Sequence, residues 1–401
     1  MFGVHLFSSF AMIPDSFLRF YEAELSRFQQ QGLYRSLRVV EGPIGPTVQI
    51  DGRSLIQFSS NDYLGLATHP RMMAEAGAVL KRLGTGTGAS RLISGNQQVH
   101  AHLEKELASF KETEAALIFS SGYLTHMGTI PALVGKDDRI FSDALNHASL
   151  VDACRLSPAK VEIYPHRQID FIETRLRRTP PKTSARVLIA TDGVFSMDGD
   201  LAPLPDLMRL SEKFGALVLV DDAHATGVLG PRGEGSAGYW QLNPGSLLTM
   251  GTFSKALGSL GGFITGPEMI IEYLRNTART LFYSTSLPPA VCSAVRCALH
   301  LLVEEPQRLQ ALRANIVYLQ EGFKKIGVNQ PLHPVPIFPI IVGSEDQALQ
   351  LSQALWDRGL YIPAIRPPTV PPNQCRLRIS LMATHNREHL DELLSGLREL
   401  L

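Results

Sequence analysis

The chain has 401 residues, 44% of them hydrophobic and 19% charged, with 38 Lys plus Arg against 38 Asp plus Glu. That length suits two or three lobes of ordinary domain size, and zero net charge gives no electrostatic reason to expect nucleic acid or an anionic membrane surface as a partner. Cys154, Cys292, Cys297 and Cys375 form no C-x-x-C pair and no zinc-spaced cluster, so they read as buried free thiols in a reducing, cytoplasmic compartment.

In chain order, residues 1–13 are apolar but lack the basic flank and length of a signal peptide. Residues 1–11 are expected to be disordered or foreign to the native protein, and no apolar run is long enough to span a membrane. Phe17, Phe20, Tyr21, Leu25 and Phe28 predict a helix over 15–31. Two strands, Thr47–Ile50 and Leu55–Ser59, meet at an Asp51-Gly52 turn. Val99, Leu103, Leu107 and Phe110 predict an amphipathic helix over Gln98–Phe110. Short apolar runs then recur at Ala116–Phe119, Arg139–Phe141, Val161–Tyr164, Arg186–Ala190, Leu217–Val220, Leu247–Met250 and Gly262–Thr265. Continuous apolar strands separated by helical segments imply a mostly parallel sheet buried on both faces. Beyond Pro288-Pro289 come a long helix over Ala290–Lys325, a strand in Val335–Val342, a helix over Glu345–Arg358, a Pro-rich loop at Pro363–Pro372, a strand at Cys375–Ser380 and a final helix. This is the pattern of a smaller α+β unit.

Five segments carry groups suited to chemistry. VLVDDAH (218–224) runs an apolar strand into Asp221, Asp222 and His224; such an acid can face a ligand cation or simply cap a helix. TMGTFSKALG (249–258) sets Lys255 among small residues that leave room for a bulky ring. A lysine attacks an aldehyde only as the free amine, which a dry or cationic site favours. Thr252 and Ser254 are spaced to offer hydroxyls to a phosphate. SSGY (120–123) reads as a strand end followed by a helix start, either an anion site or a plain cap. GTGTGASRLISG (84–95) lacks the features of a Walker loop or a dinucleotide fingerprint and reads as a flexible loop lining a cleft. In NHAS (146–149), His147 can be a core residue, a helix cap or a ring stacked on a planar cofactor. His100 and His102, two apart on one helix, do not share a face and are expected to pack or be solvated.

Together the segments resemble a known family. FSSNDYLGL (58–66), GTGTGASRLISG, NHASL (146–150), DGVFSMDGD (192–200), VDDAHATG (220–227), GTFSKALG (251–258), YSTSLPP (283–289) and AIRPPTVP (364–371) are similar to the α-oxoamine synthases, a family of fold-type I pyridoxal-phosphate enzymes, over residues 14–400. The resemblance implies an α/β fold of the aspartate aminotransferase kind. A large cofactor-binding domain (61–289) holds the mostly parallel sheet, a smaller C-terminal α+β domain follows (290–401), and residues 1–60 form an N-terminal helix and strands.

It also implies roles. Lys255 holds pyridoxal 5'-phosphate as a Schiff base and later removes the substrate's α-proton. Asp221 pairs with the pyridine nitrogen, keeping it protonated so that the ring accepts electrons. His224 and Ser196 hold the phenolic oxygen, and His147 stacks on the ring. Backbone N–H groups of Ser121, Gly122 and Tyr123 bind the phosphate, with the Thr252 hydroxyl and with Thr285 reaching over from the second subunit of a homodimer. Arg378 is the better match for the amino acid carboxylate and Arg366 the second candidate. Asn61 approaches the neighbouring subunit's site, and Arg35 helps hold the acyl donor. No metal is required. AIRPPTVP resembles the branch that condenses L-alanine with pimeloyl-CoA or pimeloyl-carrier protein, releasing CO2 and free thiol, in biotin biosynthesis. Two departures, Ala225 for the more usual Gly or Ser and Asp192 for a frequent Glu, touch substrate choice. The alternatives are a glycine C-acetyltransferase and, in a different class, a non-catalytic partner subunit, which would be expected to lack the lysine.

Overall fold

The structure is a computed structural model that describes residues 13–182, 184–330 and 332–401. The expectation for residues 1–11 lies outside the described residues.

A seven-stranded sheet forms the centre. Its strands are β1 (Ala115–Phe119), β2 (Arg139–Asp143), β3 (Lys160–Tyr164), β4 (Val187–Asp192), β5 (Ala216–Asp221), β6 (Leu248–Thr252) and β7 (Gly262–Gly266). Their spatial order is β1-β7-β6-β5-β4-β2-β3. The run from β6 to β3 is parallel, whereas β7 is antiparallel to both β6 and β1. Every residue of β2, β4, β6 and β7 is buried, which is why these segments are mainly apolar rather than alternating. The parallel register brings the carboxyl ends of β4, β5 and β6 to one edge, with Asp192 opposite Asp221 and Asp221 opposite Met250.

Two smaller sheets flank this core. Arg53–Gln57 pairs antiparallel with Thr47–Ile50 through a turn in which Asp51 (φ 52°) and Gly52 (φ 71°) both have positive φ, as a two-residue hairpin of right-handed twist requires. Arg53–Gln57 also pairs, in parallel, with Leu360–Tyr361 near the other end of the chain. Ile337–Gly343, Cys375–Ser380 and Ala364–Ile365 form an antiparallel sheet. The second strand of the hairpin therefore starts and ends two residues earlier than expected. The Pro-rich loop expected over Pro363–Pro372 contributes Ala364–Ile365 to a sheet.

The helix expected over Ala290–Lys325 is two helices, Pro289–Glu304 and Pro306–Lys325. Pro306 causes the break: its ring disfavours the helical conformation in the preceding residue, and Glu305 sits at φ −120°, ψ 59°. A helix not anticipated from the sequence spans Pro70–Leu83, opened by a His69 side-chain cap and closed at Gly84 with φ 82°. The 84–95 stretch packs away from the cavity described below: Ser286 N donates to Ala89 O at 3.1 Å and Ser90 pairs with Thr285. It ends in a five-residue π-helical turn, Arg91–Gly95. His100 is buried and its Nε2 lies 2.9 Å from Leu287 O, a packing role, while His102 is exposed. All four cysteines are free and buried. Among the described residues no helix is long and apolar enough to cross a membrane.

Candidate active site

Outside the carboxyl ends of β4, β5 and β6 lies a cavity of about 210 Å³, at the edge where open α/β sheets bind ligands. Its walls bring together residues far apart in sequence: Ser121, Gly122 and Tyr123; His147; Asp221 and His224; Thr252, Ser254 and Lys255. Each arrives by a local device. Ser121 caps helix Gly122–Leu133, its hydroxyl accepting from Leu124 N at 3.1 Å. The Gly122 and Tyr123 N–H groups, in the first turn of that helix, have no intrahelical acceptor. Gly122 packs tightly on β6, where a Cβ would stand 3.2 Å from Met250 Cε and 3.3 Å from Thr252 Cβ. His147 caps helix Ala148–Leu156 with its ring open to the cavity. Lys255 lies in a turn just past β6, closed by Gly258 N donating to Lys255 O at 2.8 Å.

The electrostatics are those of a site built to handle protons. Lys255 is pushed down to about 8, chiefly by burial, with the Asp221 charge opposing and Arg378 adding to the shift. His224 is held well below the ordinary histidine value by burial, helped by Lys255 and Arg378. Asp192 is held well above the ordinary carboxyl value by burial and by the neighbouring Asp221. Asp221 Oδ1 accepts from Ala223 N at 2.8 Å, so one oxygen fixes the carboxylate while the other faces inward.

Arg378 reaches this region from the C-terminal sheet. In Cys375–Ser380, Arg376 and Arg378 fall on the same strand face, and both clasp the loop after β4. Arg376 Nη1 donates to Asp198 Oδ1 at 2.5 Å, and Arg378 Nε donates to Ser196 O at 2.5 Å. Arg378 further donates to Asn61 Oδ1 (3.1 Å), Ser380 Oγ (2.8 Å) and Tyr63 Oη (3.3 Å). Of the five N–H groups a guanidinium carries, one stays uncommitted. Tyr63 Oη lies 2.6 Å from His224 Nδ1. The phenol oxygen accepts from Arg378, and its own proton has two acceptors in reach, His224 Nδ1 and, at 3.2 Å, Asn61 Oδ1.

The remaining expected residues make these contacts within the chain. Asn61, expected to serve a neighbouring subunit's site, bonds Arg378 of its own chain, because the Ser60–Tyr63 turn folds back under Cys375–Ser380. Ser196 takes part through its backbone carbonyl. The Thr252 hydroxyl donates to Gly261 O at 2.7 Å, and its contact with Ser254 Oγ is 2.8 Å, so its one proton is already in use. Thr285 is not in the cavity wall; its carbonyl accepts from Ser120 Oγ at 3.0 Å. Arg366 and Arg35 form a separate cluster: Arg366 Nη1 bonds Gly32 O, and Arg35 Nη2 donates to Pro367 O at 2.6 Å.

Sequence reading missed Tyr63, Ser149 and His126. The first two lie in motifs it had singled out. His126, four residues beyond Gly122 and buried with Nε2 unpartnered, gives no periodic signal because its helix is apolar all round. Among the described residues no group of three or more His, Cys, Asp or Glu is placed to hold a metal.

The donor set fits pyridoxal phosphate. It offers free helix-terminal N–H groups for an anion at one end, a buried carboxylate for a ring cation at the other, and a lysine with a depressed pKa between them.

Comparison with known proteins agrees. The family described as aminotransferase class I and II matches residues 53–397, and the chain belongs to it. Within that family, it is 46% identical over 381 residues to the 8-amino-7-oxononanoate synthase of Geobacter sulfurreducens, covering 94% of this chain and 96% of that one. It is 43% identical over 383 residues to the enzyme of the same name from Thermoanaerobacter pseudethanolicus, covering 96% and 97%. Among solved structures it is similar to Sphingomonas wittichii serine palmitoyltransferase (TM-score 0.87, 32% identity, 96% of each chain). It is also similar to Francisella tularensis 8-amino-7-oxononanoate synthase (TM-score 0.74, 27% identity, 86% and 97%).

Proposed function

We propose that this chain binds pyridoxal 5'-phosphate and condenses L-alanine with a pimeloyl thioester, carried by CoA or a carrier protein. The products are 8-amino-7-oxononanoate, CO2 and free thiol, a step of biotin biosynthesis. The carrying observation is Lys255, an amine with its pKa depressed to about 8 in a cavity it shares with Asp221 and His224, in a chain 46% identical over nearly its whole length to a synthase of that product.

Bound there, pyridoxal phosphate would supply an electron sink for the amino acid's α-carbon. The protein's residues do the rest. Lys255, partly neutral near pH 8, is a nucleophile toward an aldehyde and, once free, a base for the α-proton. Asp221 offers a fixed negative charge to a ring nitrogen. His224, held neutral by burial, is suited to donate a ring N–H to an oxyanion. Ser121, Gly122 and Tyr123 present backbone N–H groups to a phosphate, and Thr252 adds its hydroxyl by turning it away from Gly261 O, while Ser196 and the His147 ring border the cofactor. Arg378, with one free N–H, receives the substrate carboxylate, which orients the α C–H bond for cleavage. Arg366 and Arg35, close together and away from Lys255, are suited to an anionic acyl donor.

The same reading makes the protein a cytoplasmic homodimer, in which Thr285 completes the partner's phosphate site. It also makes residues 61–289 the cofactor domain and 290–401 a smaller domain, with 1–60 as an N-terminal extension. Four free thiols are in keeping with the compartment.

An absorbance titration tests the reaction. The purified protein with pyridoxal phosphate should respond to L-alanine and then, on adding pimeloyl-CoA, release free thiol. A response to glycine alone, and only with short acyl donors, would transfer the chain to the glycine C-acetyltransferases.

A further inference from the structure

His126 sits inside helix Gly122–Leu133 with no solvent exposure. Its Nε2 has no hydrogen-bond partner and lies 3.6 Å from Asp221 Oδ2. Its Nδ1 lies 2.9 Å from the hydroxyl of Ser149, which is 2.7 Å from Nδ1 of His147. Two side chains, His126 and Ser149, thus join the carboxylate at the end of β5 to the histidine ring that opens into the cavity.

Proton bookkeeping gives this chain a direction. Ser149 has one hydroxyl proton and lies between two ring nitrogens, so one nitrogen accepts that proton and the other donates to the oxygen. Burial holds both histidines below their ordinary value, so each ring carries a single proton near neutral pH. If His147 Nδ1 accepted, His126 would carry its proton on Nδ1 and turn the Nε2 lone pair toward the Asp221 carboxylate, acceptor against acceptor in a buried place. In the opposite arrangement, His126 Nε2–H points at Asp221, its Nδ1 accepts the Ser149 proton, and Ser149 Oγ accepts from His147 Nδ1–H. This sacrifices only the bond from Ser149 N to His147 Nδ1, at 3.3 Å the longest of the hydrogen bonds in the group. Each arrangement leaves one polar atom unpaired, and a lone pair turned toward a buried carboxylate costs more than a helix-terminal N–H without its cap, so the second arrangement wins.

We infer that His126 is a positioning residue for Asp221, and that every hydrogen of the His147–Ser149–His126 chain donates toward that carboxylate, leaving His147 with a bare Nε2 facing the cavity. The consequence for catalysis rests on the proposed cofactor reading. One Asp221 oxygen accepts from Ala223 N–H, and the other faces the His126 Nε2–H across 3.6 Å, an electrostatic contact that favours this orientation of the carboxylate toward a ring nitrogen. His147 in turn accepts a proton or hydrogen bond from whatever lies above it.

Nitrogen NMR of histidine-labelled protein without cofactor reads the tautomers directly, with His147 assigned by a His147→Asn control. We expect His147 to carry its proton on Nδ1 and to shift to the Nε2–H form in Ser149→Ala. An Nε2–H tautomer in the unaltered protein, or no change in Ser149→Ala, overturns the inference. In His126→Leu, pyridoxal phosphate should dissociate about fivefold more readily, as for a polar contact worth about 1 kcal/mol; a constant within twofold of the original also overturns it. Should that variant not fold, Ser149→Ala is measured for the same loss. Failure of the unaltered protein to bind pyridoxal phosphate would sink the cofactor reading alone, since the tautomers are read without it.

Discussion

Lys255 is useful only as the free base, and its surroundings bring that form into the physiological range. Because its pKa falls from the ordinary 10.5 to about 8, covalent capture of pyridoxal phosphate by the apoprotein, trapped with borohydride, should speed up through pH 8 and level off above. A midpoint near the ordinary lysine value would contradict this. Lys255→Ala should abolish both capture and turnover; a variant that kept turnover would remove Lys255 from the chemistry. Arg378→Ala should raise the alanine KM by roughly ten- to a hundredfold, the loss of about 1.5–3 kcal/mol for a hydrogen bond to a charged group. An unchanged KM with unchanged kcat would exclude it from the carboxylate site. Lys255, Asp221 and His224 were legible in sequence because their motifs bear several unusual residues side by side. The Tyr63 bond to His224 crosses 161 positions of sequence, and no local pattern announces it.

At the scale of elements, strand β5 has its end anchored from behind. Lys111, at the end of helix Gln98–Lys111, buries its ammonium against Asp222 Oδ2 (3.3 Å), Thr226 Oγ1 (2.8 Å) and Glu234 O (2.7 Å). Lys111→Met leaves Asp222 buried without a counter-charge. It should cost about 3–5 kcal/mol of stability, read from denaturant midpoints; a loss below 1 kcal/mol would mean that water reaches Asp222. The end of β2 is tied differently. His166 bridges Asp143 Oδ1 (2.9 Å) and Asp200 Oδ2 (2.7 Å). Burial opposes its charge, but the two carboxylates outweigh it and raise the ring to about 9. A raised folded-state pKa stabilises fully below the unfolded value near 6.5 and is lost as pH rises through about 9. The melting-temperature advantage over His166→Gln should therefore shrink across that window; a constant gap would contradict the bridge. The helix over 70–83 was legible after the fact in its Pro70 start and Gly84 stop. It was passed over because Met72 and Val79 are the only buried side chains on it, too few to print a period.

For the whole molecule, the N-terminal helix Asp15–Gln30 has no buried residue although Phe17, Phe20 and Tyr21 are about half or more exposed. On the homodimer reading, sedimentation should give twice the chain mass, and Thr285→Ala should weaken pyridoxal phosphate binding without dissociating the dimer. A fully active monomer would refute both. The sequence by itself determined the class of fold, since buried parallel strands must be apolar throughout, and it determined the lysine, acid and histidine of the cavity, since these stand in compact motifs at strand ends. Tertiary structure alone decided which side chains hold them: Tyr63 on His224, Ser196 and Asn61 on Arg378, and His126 against Asp221. Such contacts join segments up to hundreds of residues apart, and their partners are ordinary residues whose roles arise only from burial and proximity.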